Sequence, residues 1–236
     1  METIAFVCAM PLEMRALTKR LDLQKREVGG LQVRTGTLDG EPVVAYVTGM
    51  GPELATKGID RLLAAVQPER VVVFGITGAV TNETPIGSVV MPARVIDHAT
   101  GRTHEHRPPG GEAAHGALWT THIMTPAKDL PGLIEQGVIA LDMETAAYAH
   151  SCEREGVLWS VHRTISDHPK DDIDDEVFGL MNLDATPNWR NIARYLVKHP
   201  QRIPGMFTLA KNGKLATENA ADAAIAAARA SRHPAA

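Results

Sequence analysis

The chain has 236 residues, of which 44% are hydrophobic, 22% charged and only 4% aromatic, a composition that excludes collagen-like, disordered and disulfide-scaffold proteins. At roughly 150 residues per domain, the length allows one large domain or two small ones and is ample for a full core. Its 24 Lys and Arg stand against 28 Asp and Glu, a net charge of −4, which gives no electrostatic footprint for nucleic acid or an anionic membrane, so neither is expected as a partner.

The longest apolar runs, such as residues 71–76, fall far short of the ~20 residues that a membrane-spanning helix needs. METIAFVCAMPLE has no basic residues ahead of its short apolar stretch, which runs into Glu13, Arg15 and Lys19. A signal peptide is therefore not expected, and a cytoplasmic location is. Cys8 lies in an apolar run and Cys152 in a helical pattern, as suits buried thiols in a reducing compartment.

Residues 3–10 read as a strand, and Pro11 opens a helix with Leu12, Ala16, Leu17 and Leu21 on one face, Pro being tolerated at the first helical position. Residues 31–37 and 42–48 read as strands separated by Leu38-Asp39-Gly40-Glu41, whose Asp-Gly pair predicts a hairpin and a partly antiparallel sheet. Gly49-Met50-Gly51 precedes a helix over 52–66, and 70–76 is a continuous apolar strand of the kind buried on both faces. Residues 87–96 predict another strand. From His98 to Trp119 the chain is rich in His, Gly and Pro, which predicts a long irregular loop. A segment over 118–124, a short helix near 128–136, a strand over 138–141, a helix over 143–155 and a strand over 157–165 follow. Helices over 187–198 and 203–211 lead to an Ala-rich tail from Asn219, expected to fray at the terminus. Alternating strands and helices with no dividing linker predict one α/β domain, with ligands beyond the carboxyl ends of the strands.

Four strand ends stand out: Ala9-Met10-Pro11-Leu12-Glu13, Gly75-Ile76-Thr77-Gly78-Ala79, Leu141-Asp142-Met143-Glu144 and Arg163-Thr164-Ile165-Ser166-Asp167. Three end in a carboxylate beside apolar or small residues, and the fourth is a glycine-framed turn that backbone and ligand can approach closely. Taken singly, Glu13 and Glu144 read as first-turn helix charges and Asp167 as a loop cap.

In order, the motifs IAFVCAMPLEM, VTGMGPELATKGI, VVVFGITGAV, IGSVVMPARVIDH, ALDMETAAYAH and VHRTISD resemble the nucleoside phosphorylase and nucleosidase superfamily. They are most similar to the branch of methylthioadenosine/S-adenosylhomocysteine nucleosidases and related purine nucleosidases, over roughly residues 4–167. The resemblance implies a nucleoside phosphorylase-like, three-layer α/β/α domain over 1–236 with a mixed, twisted central sheet, a shortened middle at about 98–120 and a helical C-terminal tail from about 187. It implies that Asp167 is the general acid for the leaving base, placed by Ser166, and that Glu13 orders the attacking water. Met143 and Glu144 would grip the ribose, Met10 would line the sugar pocket, and Thr77 and Gly78 would lie beside base and ribose. Ile123 and Met124 fall in the stretch that supplies base contacts. A small-molecule nucleoside is the implied partner, the implied assembly is a homodimer, and no cofactor or metal is implied.

The chemistry asks for the same residue types. Cleaving a purine N-glycosidic bond develops an oxocarbenium-like sugar and a poor anionic leaving base, so an acid must protonate the base, and burial must raise its pKa for that to happen near neutrality. A second carboxylate on the other side of the sugar holds water, and a third strengthens hydrogen bonds to the ribose hydroxyls as charge develops. In the phosphorylase branches the position of Ile76 usually carries a phosphate-binding Ser or Thr. An Ile there favours hydrolysis over phosphorolysis, with a catalytically silent nucleoside-binding homologue as a further alternative. Arg163 either pairs with a catalytic carboxylate or finishes a strand.

The stretch HATGRTHEHRPPGGEAAHG departs from the family, leaving base and 5′ specificity open. Its histidines His98, His104, His106 and His115 lack the spacing of zinc patterns. The loop is expected to be solvated or to cover the pocket, with His98, directly after a strand, as the substrate contact. Gly49-Met50-Gly51 lacks the third glycine of a dinucleotide fingerprint, and the acidic run 171–176 reads as a solvated loop.

Overall fold

A computed structural model describes residues 3–106, 108–111, 113–171, 173, 176, 179–180, 182, 186 and 188–232. Part of the acidic run at 171–176 lies outside the described residues, as does Pro187. One sheet organises the chain, in the order β2 (Gln24–Val28), β3 (Leu31–Leu38), β4 (Glu41–Val47), β1 (Ile4–Cys8), β5 (Arg70–Ala79), β10 (Val138–Asp142), β9 (Ala117–Thr120), β7 (Arg94–Asp97) and β8 (Thr103–Glu105). Strand β11 (Leu158–Asp167) lies on the other edge of β5, and the two-residue β6 (Val89–Val90) pairs with β11. The hairpin forms as its sequence predicts: β3 and β4 pair from Leu38–Glu41 onward, and Asp39 and Gly40 both take positive φ, 54° and 86°. The strand expected at 87–96 is split into β6 and β7, and β2 joins the sheet without having been signalled by its charged sequence QKREV.

Strand β5 is buried on both faces, and its alternation assigns the two layers. Val71 and Val73 pack with Ile59 and Leu62 of α2 (Pro52–Val66) and with Tyr148 and Cys152 of α4 (Thr145–Arg154). Val72 and Phe74 pack on the opposite side with Met14 and Leu17 of α1 (Pro11–Leu21). The short α3 (Leu130–Glu135) sits under β10, where Leu130 and Leu133 join a smaller cluster with Val80 and Val138. Helices α5 (Trp189–Lys198) and α6 (Ile203–Arg232) complete the described chain.

Two expectations are corrected here. The C-terminal tail does not fray within the described residues. The stretches 203–211 and 219 onward are one 30-residue helix, whose Ala220, Ala221, Ala224, Ala227 and Ala228 are buried against Ile4, Phe6 and Phe74. Small side chains let the helix axis approach the sheet, and the ion pairs Arg20–Asp222 and Arg229–Asp39 fasten its outer face. The His-rich stretch is not merely an irregular loop either, because β8 forms a hairpin with β7 and leads into buried His106. There the Val161 N–H of β11 donates to His106 Nε2 at 3.1 Å, and His106 Nδ1–H donates to the Pro92 carbonyl at 2.6 Å. The imidazole thus satisfies an edge-strand donor that no strand covers. Burial lowers the pKa of His106, which favours the neutral ring that this pair of bonds requires. Buried His104 meets Glu153 at 2.7 Å.

Because Ala220 sits flush against the sheet, Ala220→Leu should overpack that layer and destabilise the protein by about 1–3 kcal/mol. Urea unfolding measures this, and an unchanged midpoint would contradict the docking of α6.

Candidate active site

One edge of β5 changes partner along its length. Residues Arg70 to Val73 pair with β1, whereas Gly78 and Ala79 pair antiparallel with β10. Between the ends of β1 and β10 the ladder is interrupted, and the free backbone donors there are taken by a side chain. Glu13, in the first turn of α1, accepts the Ile76 N–H on Oε1 at 2.8 Å, and the Met10 and Ala9 N–H groups on Oε2 at 2.8 and 3.1 Å. The carboxylate therefore links α1, the end of β1 and the open edge of β5. Glu13 is almost fully buried, and burial raises its pKa, opposed by Arg163 and by the three backbone donors.

Arg163 does not finish a strand. It lies inside β11 opposite Gly75 of β5, and its guanidinium crosses β5 to the gap. A β-carbon at Gly75 would stand 2.2 Å from Glu13 Oε1 and 2.6 Å from Arg163 Nη1, so only glycine leaves room for the crossing. Arg163 Nη2 meets Asp142 Oδ2 at 2.6 Å and Glu144 Oε2 at 3.7 Å, and it also donates to Thr145 Oγ1 at 2.9 Å. Asp142, not Glu144, is its close ion partner. Asp142 also accepts from the Thr120 hydroxyl at 2.6 Å, the Thr145 N–H at 3.1 Å and the Thr145 hydroxyl.

Glu144, at the N-terminus of α4, accepts the Gly51 N–H on Oε1 at 2.8 Å. Its pKa is pushed up to about 7 by burial first, with Asp142 and Glu13 adding to the rise and Arg163 and the Gly51 N–H opposing it. Asp167 closes β11 after a register shift between Ile165 and Asp167. The Ser166 hydroxyl donates to Asp167 Oδ1 at 2.6 Å, and a β-carbon at Gly78 would stand 3.1 Å from Asp167 Oδ2. Burial raises the pKa of Asp167, opposed by the Ser166 hydrogen bond. Thr77, buried beside Gly78, donates to the Leu141 carbonyl at 2.5 Å and ties β5 to β10.

The structure thus brings Met10, Glu13, Thr77, Gly78, Met143, Glu144, Ser166 and Asp167 to one junction of β1, β5, β10 and β11. From Gly75, under Glu13 and Arg163, to Gly78, under Asp167, is roughly 10 Å along the strand. Ile123 and Met124 follow β9 and are exposed, at 52% and 38%. His98 follows β7, two strands beyond β10, and is also exposed. Its ring lies 5.1 Å from Trp119 and 6.3 Å from His122. The segment that carries Ile123 and Met124 is tied to β10 by the Thr121 N–H, which donates to the Asp142 carbonyl at 2.9 Å. Among the described residues no group of His, Cys, Asp or Glu has the arrangement of a metal site. Both cysteines are buried thiols with raised pKa.

A family model described as "Phosphorylase superfamily" matches residues 3–130. The chain belongs to the phosphorylase superfamily. A 5′-methylthioadenosine/S-adenosylhomocysteine nucleosidase of Oceanobacillus iheyensis is 25% identical over 196 residues, covering 70% of this chain and 86% of the relative. The fold matches the crystal structure of the corresponding nucleosidase from Colwellia psychrerythraea in complex with adenine, at TM-score 0.73 and 19% identity over 97% of this chain and 95% of that one. It also matches futalosine hydrolase of Helicobacter pylori, at TM-score 0.69 and 13% identity over 95% and 97%.

Sequence reading missed Asp142, Gly75, Gly51 and the threonines Thr120 and Thr145 of this superfamily member. Asp142 carried a signal, an acid closing an apolar strand next to Met143-Glu144, but the neighbouring glutamate drew the assignment. Gly51 lies in the motif VTGMGPELATKGI, but nothing local marks its N–H as the partner of Glu144.

Two outcomes follow from the buried charges. Replacing Arg163 with Met leaves uncompensated buried carboxylates and should cost about 3–5 kcal/mol in urea unfolding. Glu144 ionises near 4.5 in the unfolded chain and near 7 when folded, so the folded state binds more protons between those values. Its contribution to stability is therefore lost as pH rises through that window, and the raised carboxyls of Glu13 and Asp167 act in the same direction. Glu144→Gln should flatten the decline, read from unfolding midpoints at about pH 5 and about pH 8.

Proposed function

We propose that this chain hydrolyses the N-glycosidic bond of an adenosine-derived nucleoside, releasing the free base and a ribose derivative. The observation that carries the reading is the set of three carboxyl groups, buried Glu13 and Glu144 and part-buried Asp167, each with a pKa raised by desolvation and each brought in by a different element. The relatives named nucleosidases support it.

Asp167 acts as the general acid. Burial raises its pKa, which favours the protonated form that this role requires, and Ser166 donates to Oδ1 while Oδ2 lies over Gly78. Glu13 directs the water. Three backbone donors lock its position, and the remaining lone pair, on Oε1, accepts from a water placed at C1′. Glu144 accepts from the ribose hydroxyls through Oε2 while Gly51 holds Oε1. These bonds strengthen as positive charge develops on the sugar. Met10 and Met143 wall the ribose, Thr77 and Gly78 lie beside the base, and Ile123, Met124 and His98 form the outer rim of the base side. The reaction needs no cofactor.

Water is favoured over phosphate by what surrounds Ile76. Its side chain offers no hydroxyl, and its N–H is already donated to Glu13. A phosphate seated there would meet a carboxylate in place of a free donor. A cytoplasmic homodimer belongs to the same proposal: Leu12 and Leu54, both 40% exposed, begin the helices that carry Glu13 and follow Gly51.

Asp167→Asn should lower base release by about 10²–10⁴-fold while nucleoside binding persists. Chromatography of free base from a nucleoside panel, with and without phosphate, measures it. Near-normal turnover in that variant would sink the assignment, and turnover strictly dependent on phosphate would make the chain a phosphorylase.

A further inference from the structure

The overall charge of −4 conceals a strong segregation. Residues 189–217 contain Arg190, Arg194, Lys198, Arg202, Lys211 and Lys214 and no Asp or Glu, which leaves 18 basic and 28 acidic residues elsewhere. One continuous segment is therefore +6 and the remainder −10.

The same segment exposes apolar side chains. In α5, Tyr195 is buried and Ile192 and Leu196 are half-buried, so one face rests on the protein. Trp189, Ala193 and Val197, spaced four apart, form a second stripe that faces solvent, with Trp189 74% and Val197 83% exposed. Arg190, Arg194 and Lys198 each follow a member of that stripe by one residue, about 100° further round the helix. An ordinary surface helix has an apolar face inward and a polar face outward, whereas α5 has an exposed apolar stripe bordered by a basic one. After the turn at Pro200–Arg202, α6 repeats the pattern: Phe207 is 73% exposed, with exposed Lys211 and Lys214 four and seven residues on along the same face. None of Arg190, Arg194, Lys198, Lys211 and Lys214 has an ion-pair partner among the described residues. Among the described residues, Glu176 faces His199 of the segment at 3.8 Å.

We infer that the segment 189–215 docks on an anionic lipid surface, with Trp189, Val197 and Phe207 entering the interface and the basic side chains meeting the headgroups. The pairing of exposed Trp and Phe with flanking Arg and Lys matches what such a surface binds, because aromatic rings favour the interfacial zone and long basic side chains reach back to the phosphates. The acidic remainder of the chain is repelled by the same surface, so the docking has one orientation. The inference is independent of the catalytic reading.

The test is co-sedimentation of the full chain with phosphatidylcholine vesicles, with and without phosphatidylglycerol. Partition should require the anionic lipid and fall at about 0.5 M salt. It should also shift Trp emission to shorter wavelength, a shift lost in Trp189→Phe. The triple variant Arg190→Gln, Arg194→Gln, Lys198→Gln should lose about a hundredfold in partition, near fivefold per charge, and Val197→Ser should weaken it at unchanged charge. Circular dichroism and thermal midpoints confirm that the variants fold, and Lys198→Gln alone serves if the triple variant does not. Absence of partition at low salt, equal partition into neutral vesicles, or partition unchanged in the triple variant overturns the inference. So does a fall in oligomeric state on Val197→Ser without any lipid binding, which would assign the face to a second copy of the chain.

Discussion

The site depends on one buried cation. Arg163, on β11, is nearly inaccessible, with Asp142 at 2.6 Å and Glu144 at 3.7 Å. Its charge also opposes the rise that burial imposes on the pKa of Glu13. A guanidinium removed from water must be surrounded by acceptors to remain there, and the fold supplies them from β10, α4 and α1. The acceptors in turn are buried carboxyl groups that only a cation makes tolerable. Neither side of this arrangement is stable without the other.

The sheet makes room for it. Strand β5 exchanges β1 for β10 along one edge, and the gap between them leaves the Ile76 N–H without a strand partner. Glu13 takes that donor, and Gly75 lets Arg163 pass over the strand into the same space. A regular ladder would have satisfied its own backbone and left no opening. The interruption is what turns a hydrophobic central strand into the floor of a polar site.

Within the site the carboxyls are distinguished by their partners. Asp142 receives the close contact of Arg163 and the donors of Thr120 and Thr145, while Glu144 keeps one backbone donor and a more distant guanidinium. The acid nearest the cation is thereby committed to structure, and the one beside it titrates near neutrality. Asp167 stands outside this cluster, on the far side of the bulge at Ser166, and its proton is governed by its own burial.

The sequence determined the elements and the acids. The apolar run over 70–76 reads as a buried strand and that over 138–141 as a strand, the Asp39-Gly40 pair signals a tight hairpin, and the ordered motifs placed Glu13, Glu144 and Asp167 at strand ends. These are local signals, written in period, turn chemistry and residue type. What only the tertiary structure decided is pairing at a distance: that Arg163 reaches Asp142 across Gly75, that His106 seals the edge of β11, and that the alanines of the last helix are core instead of a fraying end. Sequence spacing cannot express such contacts, because each depends on which faces meet once the strands are in register. The distribution of charge is of the same kind, since a sum over the chain is blind to the segregation that one helix and the start of the next display on the surface.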